Sequence, residues 1–182
     1  MLVYPSNLKD AALLKPRVFE DGRGWFFEPW NKGVLDELGL TLSFVQDNVS
    51  YSKKNVLRGL HYQLPNPQGK LVSVLQGSVL DVIVDLRKSS DTFGEWQGFE
   101  LSDQNRLMLF VPEGFAHGFL TLSDNVIFHY KCTSHYDPSS EHTLLWNDKT
   151  LAIDWPIPSG VDPIVSPKDS IGSAFESCLK FL

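Results

Sequence analysis

What most constrains this chain is a train of short runs rich in β-branched and aromatic residues. They are Ser43–Ser52, Val56–Gln63, Gly69–Leu75, Ser78–Leu86, Trp96–Leu101, Leu107–Val111, His117–Leu122 and Val126–Thr133, most of them bounded by Gly, Pro, Asn or Asp. Successive side chains of a strand point to opposite faces, so runs of this length each bury one face, and so many of them predict a sandwich or a barrel. The stretch 69–86 reads as a hairpin broken at Gln76-Gly77-Ser78, with Leu80, Val82, Val84 and Leu86 forming an apolar face opposite Asp81, Ile83 and Asp85. In Val126–Cys132 the same alternation groups Tyr130 with Val126, Phe128 and Cys132, which turns the phenol inward. Helix is confined to two peripheral pieces, one after Asn31 through Gly33–Leu38 and one starting near Ser166-Pro167. The class that accommodates this strand count together with an inward-facing small-molecule cavity is all-β: a double-sheet jelly roll or related barrel with short peripheral helices.

Length and charge narrow what such a barrel does. With 182 residues the chain fits one domain, 1–182, with a sizeable core. A net charge of -6 opposes bulk attraction to a polyanion, so no nucleic-acid partner is expected, although a few local cations suffice for one phosphorylated ligand. Cys132 and Cys178 have no metal-type spacing and are too few for a disulfide framework, which points to a reducing compartment. The N-terminal MLVYPSNLKD lacks the regions of a secretion signal, and no apolar run approaches the roughly 20 residues of a membrane span. The expectation is a soluble, cytoplasmic protein.

The residues that can carry chemistry are few. His61 lies in Asn55-Val-Leu-Arg-Gly-Leu-His-Tyr-Gln63, and His117 ends the Pro-x-Gly-x-x-His spacing of Val111–Gly118. These positions resemble the two motifs of the cupin superfamily, which usually supply His-x-His and a Glu. Here Gln63 stands for the second His, and Pro67 and Gln68 occupy the Glu spacing, leaving too few ligands for a transition metal. An isolated His on an apolar face is more often a hydrogen-bonded core residue than a catalyst. Lys70 shares a face with Val72 and Val74, an awkward place for an ammonium unless an anion or oxyanion waits there, though a snorkelling lysine is the plain alternative. Tyr130 has a core-aromatic account, and Asp169 a helix-capping one in Ser166-Pro-Lys-Asp169. Functionally, a carboxylate in that position can fix the tautomer of an imidazole and raise its basicity.

Taken in order, Asp21–Glu28, Phe44–Asn48, Val56–Gln63, Gly69–Val72, Val111–Phe119, Tyr130–Thr133 and Ser166–Asp169 closely resemble the dTDP-4-dehydrorhamnose 3,5-epimerases, metal-independent cupins of deoxysugar biosynthesis. The resemblance implies a cofactor-free isomerase that inverts C3 and C5 of dTDP-4-dehydro-6-deoxy-D-glucose, both centres flanking the C4 ketone, to give dTDP-4-dehydro-L-rhamnose. It implies His61 as base, oriented by Asp169, Lys70 as stabiliser of the enolate oxygen and Tyr130 as the acid on the opposite face. It further assigns substrate binding through nucleotide contacts to Arg23, Glu28, Gln46, Asp47, Asn48, Arg58, His117, Glu141 and Lys168, with Tyr136 stacking on the base. Individually these have bland accounts as solvated charges, turn formers or caps. Family members are homodimers with exchanged N-terminal strands, so Arg23 and Glu28 are expected to serve the neighbouring subunit.

Strict alternation puts Arg58 and His61 on opposite faces of their strand, whereas the resemblance needs both at one ligand; a bulge at Gly59 reconciles them. The chain departs from the family pattern at Gly22, Val49 and Pro29-Trp30. Those departures leave open an epimerase acting on one carbon or on another nucleotide sugar. Two further readings compete: a barrel that binds a nucleotide sugar without turning it over, and a metal-dependent cupin enzyme.

Overall fold

The computed structural model describes residues 1–182. Its strands form a six-stranded sheet in the order β1 (Leu2–Pro5), β2 (Ala12–Lys15), β10 (Met108–Val111), β7 (Lys70–Gln76), β12 (Asn125–Cys132) and β5 (Gln46–Lys53). Facing it is a five-stranded sheet in the order β13 (Glu141–Thr143), β6 (Leu57–Gln63), β11 (Phe115–Thr121), β8 (Ser78–Asp85) and β9 (Trp96–Ser102). A two-stranded ribbon, β3 (Phe19–Asp21) with β4 (Gly24–Phe26), pairs with neither sheet and is tied to the body by Arg106, which bonds Glu20 and lies over the Trp25 ring. The pairing is antiparallel throughout the sheets, and this is the double-sheet jelly roll the strand pattern implies.

Three apolar layers hold it. Val72, Val74, Leu109 and Phe128 of the first sheet pack against Ile83, Leu101, Phe115 and Phe119 of the second, so the main core lies between the sheets. Behind the five-stranded sheet, Leu57, Val82, Val84 and Leu120 are covered by Leu144, Leu151, Trp155 and Cys178 from the C-terminal third. Behind the six-stranded sheet, Leu14, Leu71, Met108 and Phe110 are covered by Leu35 of α1 (Lys32–Glu37), whose first turn is capped by the Asn31 side chain accepting from the Val34 N–H. Cys132 and Cys178 are both buried free thiols, and no helix is long and apolar enough to cross a membrane.

The eight runs read from the sequence correspond to β5 through β12. The four N-terminal strands and β13 were not legible, being three or four residues long. One reading is corrected: β7 and β8 are not a hairpin. They lie in different sheets, and at Gly77 (φ +82) the chain crosses from one to the other, with no room for a Cβ beside Asn125 O and Ser123 Oγ. The polar face of β8 is not solvent-facing either, since Asp81 and Asp85 are wholly buried. Both faces of β8 are covered, one by the intersheet core and one by the C-terminal segment, so alternation could not say which side met water.

Candidate active site

The site begins with an irregularity in β6. Arg58 pairs with Phe119 and His61 with His117, so β6 carries one residue more than β11 between these pairings. That bulge needs two glycines face to face: a Cβ on Gly59 (φ +109) would lie 2.7 Å from Gly118 Cα and His117 O, and one on Gly118 would lie 2.5 Å from Arg58 O. The extra residue turns Arg58 and His61 toward one cavity of about 680 Å3, which both line. Arg58 is steadied there by Nε donating to Ser52 Oγ at 3.0 Å.

His61 Nε2 lies 2.5 Å from Asp169 Oδ1. Asp169 sits in α2 (Pro167–Ser170), a single turn whose cap is Ser166, its Oγ accepting from the Asp169 N–H. Capping is therefore done by Ser166, and the Asp169 carboxylate is free to turn inward onto the imidazole. The turn is stitched in place on both sides: Ile164 bridges Val56 at the head of β6, and Ser173 bridges Leu144 just beyond β13. Burial acts to raise the Asp169 pKa, but hydrogen bonding and charge from His61, with help from Ser166 and the Gly59 N–H, hold the carboxyl below its ordinary value. With Nε2–H donating to this carboxylate, Nδ1 carries the lone pair that can accept a proton.

Lys70 and Tyr130 come from the opposite sheet. Lys70 pairs with Cys132 and Tyr130 is two residues along the same strand, so both project from one face of the six-stranded sheet into the cavity. Lys70 is 9% exposed and makes neither an ion pair nor a side-chain hydrogen bond. Burial drives its pKa down, against the upward pull of Cys132, Asp81 and Glu141. Burial likewise raises the Tyr130 hydroxyl, keeping it protonated.

Among the residues assigned to substrate contacts, Arg58, His117, Glu141 and Lys168 line this cavity. Glu141 and Lys168 are paired at 2.7 Å, and Tyr136, half exposed, donates its hydroxyl to Glu141 at 3.0 Å. Gln46 and Asn48 lie on the inward face of β5; Gln46 donates to Asn48 Oδ1 and accepts from the Tyr136 N–H, fixing the aromatic loop. Asp47 points the other way. Its side chain is bound on the outer face by Lys131 at 2.8 Å and His129 at 3.2 Å, which removes that carboxylate from the cavity of its own chain. Arg23 and Glu28 also lie outside: Arg23 is solvent-exposed on the β3–β4 ribbon and paired with Asp21, and Glu28 accepts from Asn31.

His117 sits deeper than a nucleotide contact implies. It is 6% exposed, directly across from His61, and its Nε2 lies 2.9 and 3.0 Å from the two oxygens of Asp81. Burial lowers the His117 pKa and raises that of Asp81, each opposed by the other. Asp81 was missed in the sequence, where it reads as one member of a polar face. The signal was there: a carboxylate inside Val79–Val84 has to find a partner if that strand is covered on both sides. No group of three or more His, Cys, Asp or Glu side chains comes together in metal-binding geometry.

A jelly roll that aims an imidazole on one sheet, paired with a carboxylate from the α2 turn, at an ammonium and a phenol on the other is a cupin-type barrel with acid–base groups facing across its cavity. The comparison with known proteins makes this specific. The family model for dTDP-4-dehydrorhamnose 3,5-epimerase matches residues 5–177, and the chain belongs to that family. It is 50% identical over 181 residues to the dTDP-4-dehydrorhamnose 3,5-epimerase of Salmonella typhimurium, covering 98% of each chain. Its fold superposes with TM-score 0.91 on the Bacillus anthracis dTDP-4-dehydrorhamnose 3,5-epimerase solved with TDP and PPi bound, at 52% identity, covering 95% of this chain and 98% of that one. The TM-score is 0.92, at 45% identity, with a dTDP-6-deoxy-D-glucose-3,5-epimerase from Legionella pneumophila in complex with dTDP-4-keto-L-rhamnose, covering 97% and 93%.

Proposed function

We propose that this protein inverts C3 and C5 of dTDP-4-dehydro-6-deoxy-D-glucose, giving dTDP-4-dehydro-L-rhamnose, and that His61, Asp169, Lys70 and Tyr130 carry the reaction. The supporting observation is that base and acid stand on opposite sheets, His61 on β6 and Tyr130 on β12, both facing one cavity. Packed sheets lie ~10 Å apart, which leaves room for one pyranose ring between those walls. Inversion requires a proton to leave one face of a carbon and another to arrive on the opposite face.

Both hydrogens to be removed are acidic because the C4 ketone takes up the electron pair as an enolate. His61 Nδ1 accepts the proton as the C–H bond breaks, and the Asp169 carboxylate stabilises the imidazolium that forms. Negative charge develops on O4, for which the Lys70 ammonium, held in place without a competing counter-ion, is a fixed partner. Tyr130 O–H then delivers a proton to the other face of the carbon. Arg58 and Lys168 offset the diphosphate at the cavity edge, Tyr136 stacks on the base, and His117, held by Asp81, offers its ring to the sugar.

The single domain 1–182 works as a cytoplasmic homodimer in this reading. Its β3–β4 ribbon exposes Phe19, Trp25 and Phe26 and carries Arg23 away from its own cavity, as an arm reaching into a partner would. The test is substrate turnover in deuterium oxide followed by proton NMR: deuterium is expected at both C3 and C5, and its appearance at neither rules the reading out. Exchange at one carbon alone would instead make this a single-centre epimerase. Sedimentation of the purified protein reads the dimer directly.

A further inference from the structure

One base and one acid must act twice. In a D-gluco ring H3 and H5 project from the same face, so His61 takes both, and between the two inversions its proton has to leave while Tyr130 regains one. The sugar ring lies between them and blocks the direct route.

A second, smaller cavity of about 90 Å3 adjoins the main one and is bounded by His61, Lys70, Tyr130 and Glu141, which it shares, and by Tyr62, Gln63, Gln68 and Tyr136, which the main cavity does not reach. Here base and acid border a second common space beside the main cavity. At ~30 Å3 per molecule it holds about three waters, and its lining supplies the polar partners each needs. Gln63 is fully engaged, its Oε1 accepting from the Asp137 N–H and its Nε2 donating to Asn66 O and His135 O. Gln68 is only half engaged: Nε2 donates to Ser134 O at 2.7 Å, and Oε1 has no protein partner.

The geometry points to this side chamber as a proton-return path, a short water chain anchored by Gln68 that carries the proton from His61 back to Tyr130 between the two inversions. The transfer balances without a co-reactant. The Nδ1–H bond of the imidazolium breaks, each water passes one proton on, and the phenolate oxygen forms its O–H bond, so both groups regain their starting states. The inference rests on the two-inversion reading above, and it adds a residue that touches neither the sugar nor the enolate oxygen.

The experiment is a time course of both inversions, read by NMR in wild type and Gln68→Leu, which keeps the side chain's bulk and removes its acceptor. With a proton-transfer partner worth ~10²–10⁴-fold at most, the second inversion is expected to slow at least about tenfold while the first stays within about twofold. A singly inverted ketosugar then accumulates. Equal slowing of both steps, as a merely displaced Ser134–Tyr136 loop would cause, overturns the inference, and so does an unchanged time course. If Gln68→Leu does not fold, wild type answers in mixed light and heavy water: a bowed proton inventory confined to the second inversion supports the relay, and linear inventories for both overturn it. A wild-type enzyme that inverts only one carbon, or none, overturns the reading of the function itself, whereas two intact inversions with no separable second step overturn the relay alone.

Discussion

Replacing Lys70 with methionine should make the protein more stable and nearly inactive. Lys70 is 9% exposed, its strand neighbours across the register are Val111 and the wholly buried Cys132, and its ammonium has no ion-pair partner. Burying a charge costs several kcal/mol; exchanging even a buried ion pair for apolar side chains of similar volume is often neutral or stabilising by ~1–4 kcal/mol, and a lone charge lacks the return that a pair supplies. Water in the adjoining cavity keeps the gain toward the low end, about 1–3 kcal/mol. At roughly 3 °C per kcal/mol for a chain of this size, the melting temperature rises by ~3–9 °C. Turnover, in contrast, should fall by ~10²–10³, the usual loss when one fixed donor to a developing oxyanion is removed. Calorimetry at several pH values gives a second check. Because burial lowers the Lys70 pKa from 10.5, the folded state holds fewer protons than the unfolded one between the lowered value and 10.5. Wild type therefore gains stability relative to Lys70→Met as pH rises through that window, and the gap narrows. A methionine variant that melts below wild type at neutral pH, or a gap that stays constant as pH rises, would refute this account of Lys70.

Asp169→Asn should fold and bind nucleotide but lose ~10²–10⁴ in solvent exchange at C3 and C5, read by NMR, because His61 is left without a carboxylate. The same pair has an acid signature: the Asp169 pKa is held below 3.8, so its stabilisation is present above that value and is lost as pH falls through the lowered one. Acid titrations of wild type and Asp169→Asn should accordingly converge at the low end. Asp81→Leu leaves the buried His117 ring without its partner and should cost ~1–3 kcal/mol in denaturant unfolding. Gly118→Ala forces a Cβ to within 2.5 Å of the Arg58 carbonyl and should both lower the melting temperature and raise KM, since Arg58 shifts with the bulge. A KM equal to wild type would separate the bulge from ligand binding.

The all-β class was legible because short runs rich in β-branched and aromatic residues, bounded by Gly, Pro, Asn or Asp, mark β5 to β12; burial alternates along β5, whereas β10 and β11 are buried on both faces. Taken one at a time, His61, Lys70, Tyr130 and Asp169 have ordinary accounts as core or capping residues; the ordered resemblance of seven segments singles them out, and the structure brings the four to one cavity. Sequence adjacency misled at Gly77, where neighbouring strands part into different sheets, and along β8, whose two faces are both covered. Periodicity reports that a face is buried; it does not say by what.

The distances that make a site were set by the tertiary structure alone. His61 and Asp169 are 108 positions apart and meet because two isolated bridges pin the α2 turn beside β6; His117 and Asp81 meet across β11 and β8. Which way Asp47 faces, and how Arg58 joins His61, depended on pairing register and on one extra residue at Gly59. Composition and local pattern act over a few residues, so they determine which groups the chain has and which face of a strand each occupies. Register, bulges and the joining of sheets are settled by contacts between segments far apart in the chain, and only those contacts decide which groups share a cavity.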